Sequence, residues 1–89
     1  MPTVTLYWRP LCPFSMALKR DLRRAGLAHE QVNIWRDRRG NATVRAANGG
    51  DALVPTVRVG ARMLANPSLT EVLAAVDAAD AADPADEAS

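Results

Sequence analysis

The stretch that most restricts how this chain can fold is a strand-to-helix junction near its start. Val4-Thr5-Leu6-Tyr7 carries no charge, and from Phe14 to Arg24 apolar residues recur at helical spacing. An uncharged run of that kind predicts a strand covered on both faces in a sheet interior. The helix that follows is expected to bury Phe14, Ala17, Leu18, Leu22 and Ala25 along one stripe and to close at Gly26. Pro13 suits the first helical turn, where its missing N–H costs nothing. Between the two elements lies Cys12, the only cysteine of the 89 residues. A helix N-terminus favours thiolate over thiol through its unpaired N–H groups and its dipole, and the thiolate is the nucleophile. Arg9 acts in the same direction, so Cys12 is the candidate reactive residue.

The length predicts a single domain with a modest core, and one cysteine cannot build an intramolecular disulfide framework. No N-terminal basic-then-apolar segment reads as a signal peptide, and a reducing cytoplasm is expected. No apolar run reaches the roughly 18 residues of a membrane span, so no membrane partner is expected. All eleven Lys and Arg lie between Arg9 and Arg62, whereas five of the ten acids follow residue 76. Residues 1–76 therefore carry +6, from eleven bases and five acids. The arginines have no interleaved aromatics and no recognisable binding helix, which argues against a nucleic-acid partner.

Further along, His29 to Trp35 reads as a second strand with Val32 and Ile34 on one face. Asp37 is placed to cap a second helix reaching about Ala47, and Asn48-Gly49-Gly50-Asp51 is a turn. Leu53 to Val59 reads as a third strand interrupted by Pro55, joined through Gly60-Ala61 to a fourth over Arg62 to Leu64. Asn66, or Ser68 with Glu71, would cap a last helix burying Leu69, Val72, Leu73 and Val76. Beyond about Ala79 the small, acidic, proline-broken sequence is expected to fray. The order β-α-β-α-β-β-α suits an α/β domain of thioredoxin-like fold, a four-stranded mixed sheet flanked by three helices.

With Cys12 after the first strand, Pro55 at the third and a polar turn before the last helix, residues 3–77 resemble the glutaredoxin family. Asn48-Gly49-Gly50, Val54-Pro55-Thr56-Val57 and Asn66-Pro67-Ser68 with Glu71-Val72 are most similar to segments of its actinobacterial mycoredoxin branch. The resemblance implies a glutaredoxin-like domain over residues 1–78, an acidic tail over 79–89, and a thiol-disulfide oxidoreductase with Cys12 as nucleophile. It also implies a cis Val54–Pro55 bond, with the Val54 backbone pairing to the bound thiol like an added strand. Arg9 stands where many glutaredoxins have a lysine. Thr56, Asn66, Pro67 and Ser68 are the implied thiol-binding residues beside Val54, with Pro13, Ser15 and Pro55 in support.

Dithiol members of the family have a second cysteine at the position of Ser15, so a monothiol cycle is expected here. Many glutathione users place a glycine-glycine-cysteine-aspartate segment where this chain has Ala65-Asn66-Pro67-Ser68. Mycothiol is therefore expected ahead of glutathione as co-substrate, with no bound cofactor and no metal. Protein mixed disulfides are the expected partners of a monomer.

Two other functions fit parts of the pattern. Cys12-Pro13-Phe14-Ser15 shares three of four residues with the cysteine-glycine-phenylalanine-serine motif of monothiol glutaredoxins that carry iron-sulfur clusters, with Pro13 replacing the glycine. A redox-inert binding module using its arginine-rich face is the other. Of the remaining conspicuous residues, Trp35 is assigned to core or interface packing, Trp8 to packing or the substrate approach, and His29 to a structural or surface role.

Overall fold

A computed structural model describes the backbone of residues 2–88 and the side chains of residues 2–81. The elements run β1 (Val4–Trp8), α1 (Pro13–Arg24), β2 (Glu30–Asn33), α2 (Arg38–Ala47), β3 (Thr56–Val59), β4 (Arg62–Ala65) and α3 (Leu69–Ala88). The strands form one mixed sheet in the order β2-β1-β3-β4. β1 pairs parallel to β2 and antiparallel to β3, so the uncharged strand is interior, as its composition requires. β3 and β4 make the hairpin through Gly60, whose φ of 60° suits a residue without a Cβ.

Alternation along the strands divides the core between the two faces of the sheet. Val4, Leu6, Val57 and Val59 meet Leu18 and Leu22 of α1 and Val72, Ala75 and Val76 of α3. On the opposite face Tyr7, Ile34 and Val54 pack with Cys12 and with Val44 of α2. Val32 joins this second cluster, so its expected face-sharing with Ile34 holds. Gly40 lets α2 come close to the sheet: a Cβ there would stand 2.5 Å from Val32 Cγ1.

Several expectations need correction. The buried face of α1 is Ser15, Leu18 and Leu22, while Phe14 is 68% exposed and Ala25 is an exposed C-cap. Hydrophobicity alone put Phe14 inside, but the helix is rotated so that its first buried position, three residues before Leu18, falls on a serine. Leu73 is also exposed, the inward face of α3 being shared by Val72, Ala75 and Val76. Trp35 is 58% exposed rather than a core residue, because β2 ends at Asn33 and the chain turns outward before α2. The backbone continues as helix past Ala79 to Ala88, which accords with the alanine content of this segment. Side chains of the acidic tail from residue 82 onward lie outside the described residues.

Candidate active site

Cys12 is the N-cap of α1, with extended backbone at φ −102° and ψ 110°. Its carbonyl accepts the Met16 N–H at 3.0 Å, while its sulfur accepts the Ser15 N–H at 3.5 Å, so the thiol fills the role that a serine or aspartate oxygen usually plays. Leu11, just before it, has φ 64° and is 84% exposed, a left-handed residue that swings the chain from β1 into the helix. Cys12 itself is only 5% exposed.

Burial alone pushes the Cys12 thiol pKa up. The Ser15 hydroxyl, the Ser15 N–H, the Arg9 charge and the Phe14 N–H together outweigh burial and hold it below the ordinary thiol value. Ser15 Oγ is fully buried and has no hydrogen-bond partner of good geometry among the described residues. Ionised sulfur is a far better acceptor than a thiol, so the hydroxyl is matched to the thiolate rather than to the neutral state. Arg9 is partly buried, and its guanidinium lies 5.6 Å from the centre of the Trp35 ring.

The wall facing Cys12 is the turn into β3. The thiol points at the Val54 carbonyl, 3.9 Å away, and the Val54–Pro55 bond is cis. Val54 lies just beyond the last β1–β3 pair, Tyr7 with Thr56. Asn66, with φ 45°, donates its N–H to the Pro55 carbonyl at 2.8 Å and so ties the start of the α3 turn to this wall. Ser68 and Glu71 then form the expected capping box: the Ser68 N–H donates to Glu71 Oε1 at 3.0 Å, and the Glu71 N–H donates to Ser68 Oγ at 3.1 Å.

Cys12, Ser15, Val54, Pro55 and Asn66 are thus assembled at one end of the sheet, with Pro13 opening α1 and Arg9 beside them. Pro67 is buried and Ser68 exposed at the next turn. Thr56 is placed differently: it is wholly buried, its hydroxyl donates to the Leu53 carbonyl at 2.7 Å, and it accepts from Asn48 Nδ2 at 3.3 Å. It braces the Val54 loop from beneath. Trp8 packs toward the α1 face with the Lys19 ammonium 3.8 Å from its ring centre. His29 accords with a structural role, its Nδ1 bonded to the Leu27 carbonyl at 2.7 Å. Sequence reasoning missed Asp21, which lines a cleft with Phe14, Asn66, Ser68 and Glu71. A single acid among Lys19, Arg20, Arg23 and Arg24 offered no signal. No group of three potential metal ligands occurs among the described residues, and none of their helices is long and apolar enough to cross a membrane.

A buried cysteine capping the first helix, opposite a cis-proline turn of a β2-β1-β3-β4 sheet, defines a site on a thioredoxin-like fold. The glutaredoxin family model matches residues 4–64, and the chain belongs to that family of thiol-disulfide oxidoreductases. It is 32% identical to mycoredoxin 1 of Corynebacterium glutamicum over 79 residues, covering 88% of this chain and 98% of that protein. A candidate glutaredoxin of Mycobacterium tuberculosis is 35% identical over 72 residues, 80% of this chain and 86% of the other. Among solved structures, a glutaredoxin from Archaeoglobus fulgidus superposes with a TM-score of 0.71 at 20% identity, covering 85% of this chain and 87% of that one. The thioredoxin-like protein BC3987 gives a TM-score of 0.72 at 18% identity, covering 82% and 99%. The family works with a low-molecular-weight thiol as co-substrate.

Proposed function

We propose that this protein reduces mixed disulfides between proteins and a low-molecular-weight thiol by a monothiol cycle at Cys12, with mycothiol preferred to glutathione. The observation that carries this reading is the state of the Cys12 thiol: buried at a helix N-cap, held below its ordinary pKa, facing the Val54 carbonyl, and the only cysteine in the sequence.

In the first step the Cys12 thiolate attacks the small-thiol sulfur of the mixed disulfide. A new S–S bond joins Cys12 to the small thiol, the old one breaks, and the protein sulfur leaves as thiolate and takes a proton from water. A second small thiolate then attacks the adduct, forming the small-molecule disulfide and returning Cys12 as thiolate. Each step exchanges one S–S bond for another, and the net reduction is supplied by the second small thiol. Arg9 and Ser15 hold the charge on sulfur, and Pro13 and cis-Pro55 set the two walls. The Val54 backbone pairs with the bound thiol, Asn66, Pro67 and Ser68 flank its remainder, and Thr56 braces the loop. The preference for mycothiol is supported by the similarity to mycoredoxin 1 and by the Asn66-Pro67-Ser68 segment. The protein acts as a monomer in the cytoplasm, without nucleic acid or membrane.

Turnover of one reporter disulfide coupled to mycothiol and to glutathione tests this. Cys12→Ser is expected to abolish both reactions, and wild type to turn over the mycothiol conjugate faster. Residual activity in Cys12→Ser, or a preference for glutathione, would refute the corresponding half of the proposal.

A further inference from the structure

The turn Asn48-Gly49-Gly50-Asp51 that ends α2 is remote from Cys12 in the chain, yet it reaches the wall that faces the sulfur. Asn48 caps α2 with its backbone N–H on the Val44 and Arg45 carbonyls, at 3.1 and 3.2 Å. The Gly50 N–H donates to the Arg45 carbonyl at 2.7 Å, and the Asp51 N–H to the Asn48 carbonyl at 3.2 Å. Beyond that point the backbone runs untied: among the described residues, Ala52, Leu53 and Val54 make no hydrogen bond to another backbone group. Two side chains hold this stretch instead. The Thr56 hydroxyl donates to the Leu53 carbonyl at 2.7 Å and accepts from Asn48 Nδ2 at 3.3 Å.

The direction of this hydrogen-bond chain is fixed. Asn48 Nδ2 also donates to the Val44 carbonyl at 2.9 Å, and a carbonyl can only accept, so the amide turns its nitrogen rather than its oxygen toward Thr56. With that N–H on its lone pair, the hydroxyl keeps its single proton for Leu53, and Thr56 is wholly buried, so solvent does not compete. An aspartate of the same shape would accept at both places, draw the Thr56 proton to itself and leave the Leu53 carbonyl unbonded.

On the reading that Cys12 exchanges disulfides with a thiol paired to the Val54 backbone, we propose that Asn48 is a positioning residue for that exchange. It acts through Thr56 and the Leu53 carbonyl to hold the Val54 backbone before the sulfur, where the Val54 carbonyl lies 3.9 Å from Sγ.

The test compares two reactions of Cys12. One is disulfide exchange with excess mycothiol disulfide or glutathione disulfide, whichever wild type attacks faster, followed as the adduct by intact-mass spectrometry. The other is alkylation by iodoacetamide at the same pH, which consumes the same thiolate without seating a thiol on Val54. Asn48→Asp is expected to slow exchange by about three- to ten-fold, the range for one lost hydrogen bond, and to leave alkylation within about two-fold. Asn48→Ala leaves the hydroxyl free to serve Leu53 and is expected to slow exchange less. Thr56→Val should match Asn48→Asp, and Thr56→Ser should keep the wild-type rate. Asn48→Asp should have no further effect once Thr56 is valine, because the two residues act in series. Exchange at the wild-type rate in Asn48→Asp, a multiplied loss in the double variant, or a proportionate loss of alkylation overturns the proposal. Wild-type protein that alkylates but forms no adduct refutes the oxidoreductase reading instead.

Discussion

The starts of α3 and α2, on the two faces of the sheet, are built with the same local device and opposite charge. On one flank α3 starts with the Ser68–Glu71 box, and the neighbouring cleft carries Glu71 and Asp21. On the other, α2 starts with Asp37, whose carboxylate accepts the Gly40 N–H at 2.8 Å, yet no acid follows in its first turn. Arg38 and Arg39 take the first two helical positions instead, and Arg9 and Trp35 stack nearby. Helix energetics alone would place acids at both N-termini. The cationic flank thus runs against local stability, and its nearest member to the sulfur, Arg9, supports the thiolate. Side-chain caps are interchangeable as structure but not as electrostatics.

Removing the close approach that seats α2 should break the cationic flank most severely. Gly40→Ala would drive a methyl group against Val32 and is expected to cost about 1–3 kcal/mol in urea unfolding. An unchanged midpoint would mean that α2 is free to shift outward. Next come the caps: Ser68→Ala and Asp37→Ala should each lower stability by about 0.5–2 kcal/mol, and a large difference between them would show that the two helix starts are not equivalent.

Iodoacetamide alkylation of Cys12 against pH separates the supports of the thiolate. Ser15→Ala and Arg9→Gln are both expected to move the alkylation midpoint upward, Ser15→Ala further because the hydroxyl it removes is the largest of the lowering contacts, while the residue 15 N–H stays. Ser15→Ala should also raise stability by about 1 kcal/mol where Cys12 is protonated, since it removes a buried hydroxyl lacking a partner. That gain should shrink as the thiol ionises. The sign for Cys12 follows from its depressed pKa: its contribution to stability is complete above the unfolded-state pKa and is lost as pH falls through the folded-state value, a dependence that Cys12→Ser should erase. The smallest effect is expected for Arg38→Glu, a gain of about 0.3–1 kcal/mol from reversing an unfavourable charge at the α2 start, measured at low salt.

Much of this arrangement is legible in the residues. The uncharged β1 run located the centre of the sheet, Pro13 and Gly26 bracketed α1, Asp37 and the Ser68–Glu71 pair marked two helix starts, and the lone cysteine fell at a cap. Phe14 and Leu73 were placed inside on hydrophobicity, but each lies beside the line of contact, where a rotation of the helix by one position changes exposure. Trp35, assigned to core or interface packing, is exposed because β2 ends at Asn33. Ser15 and Thr56 are the converse, polar side chains held inside, one in the residue whose N–H donates to the Cys12 sulfur and the other bonded to the Leu53 carbonyl, where it braces the Val54 turn.

By itself, then, the sequence determined the order of the elements, the position of Cys12 at a helix N-terminus and the caps of α2 and α3, all of which depend on residues near one another in the chain. The wall at Val54, whose carbonyl lies 3.9 Å from the Cys12 sulfur, was implied by the family resemblance. Tertiary structure alone decided that Asp21 and Glu71 line one cleft from two different helices. Such pairings are set by how α1 and α3 dock on the same face of the sheet, and that docking angle is a property of the packed core rather than of any local pattern.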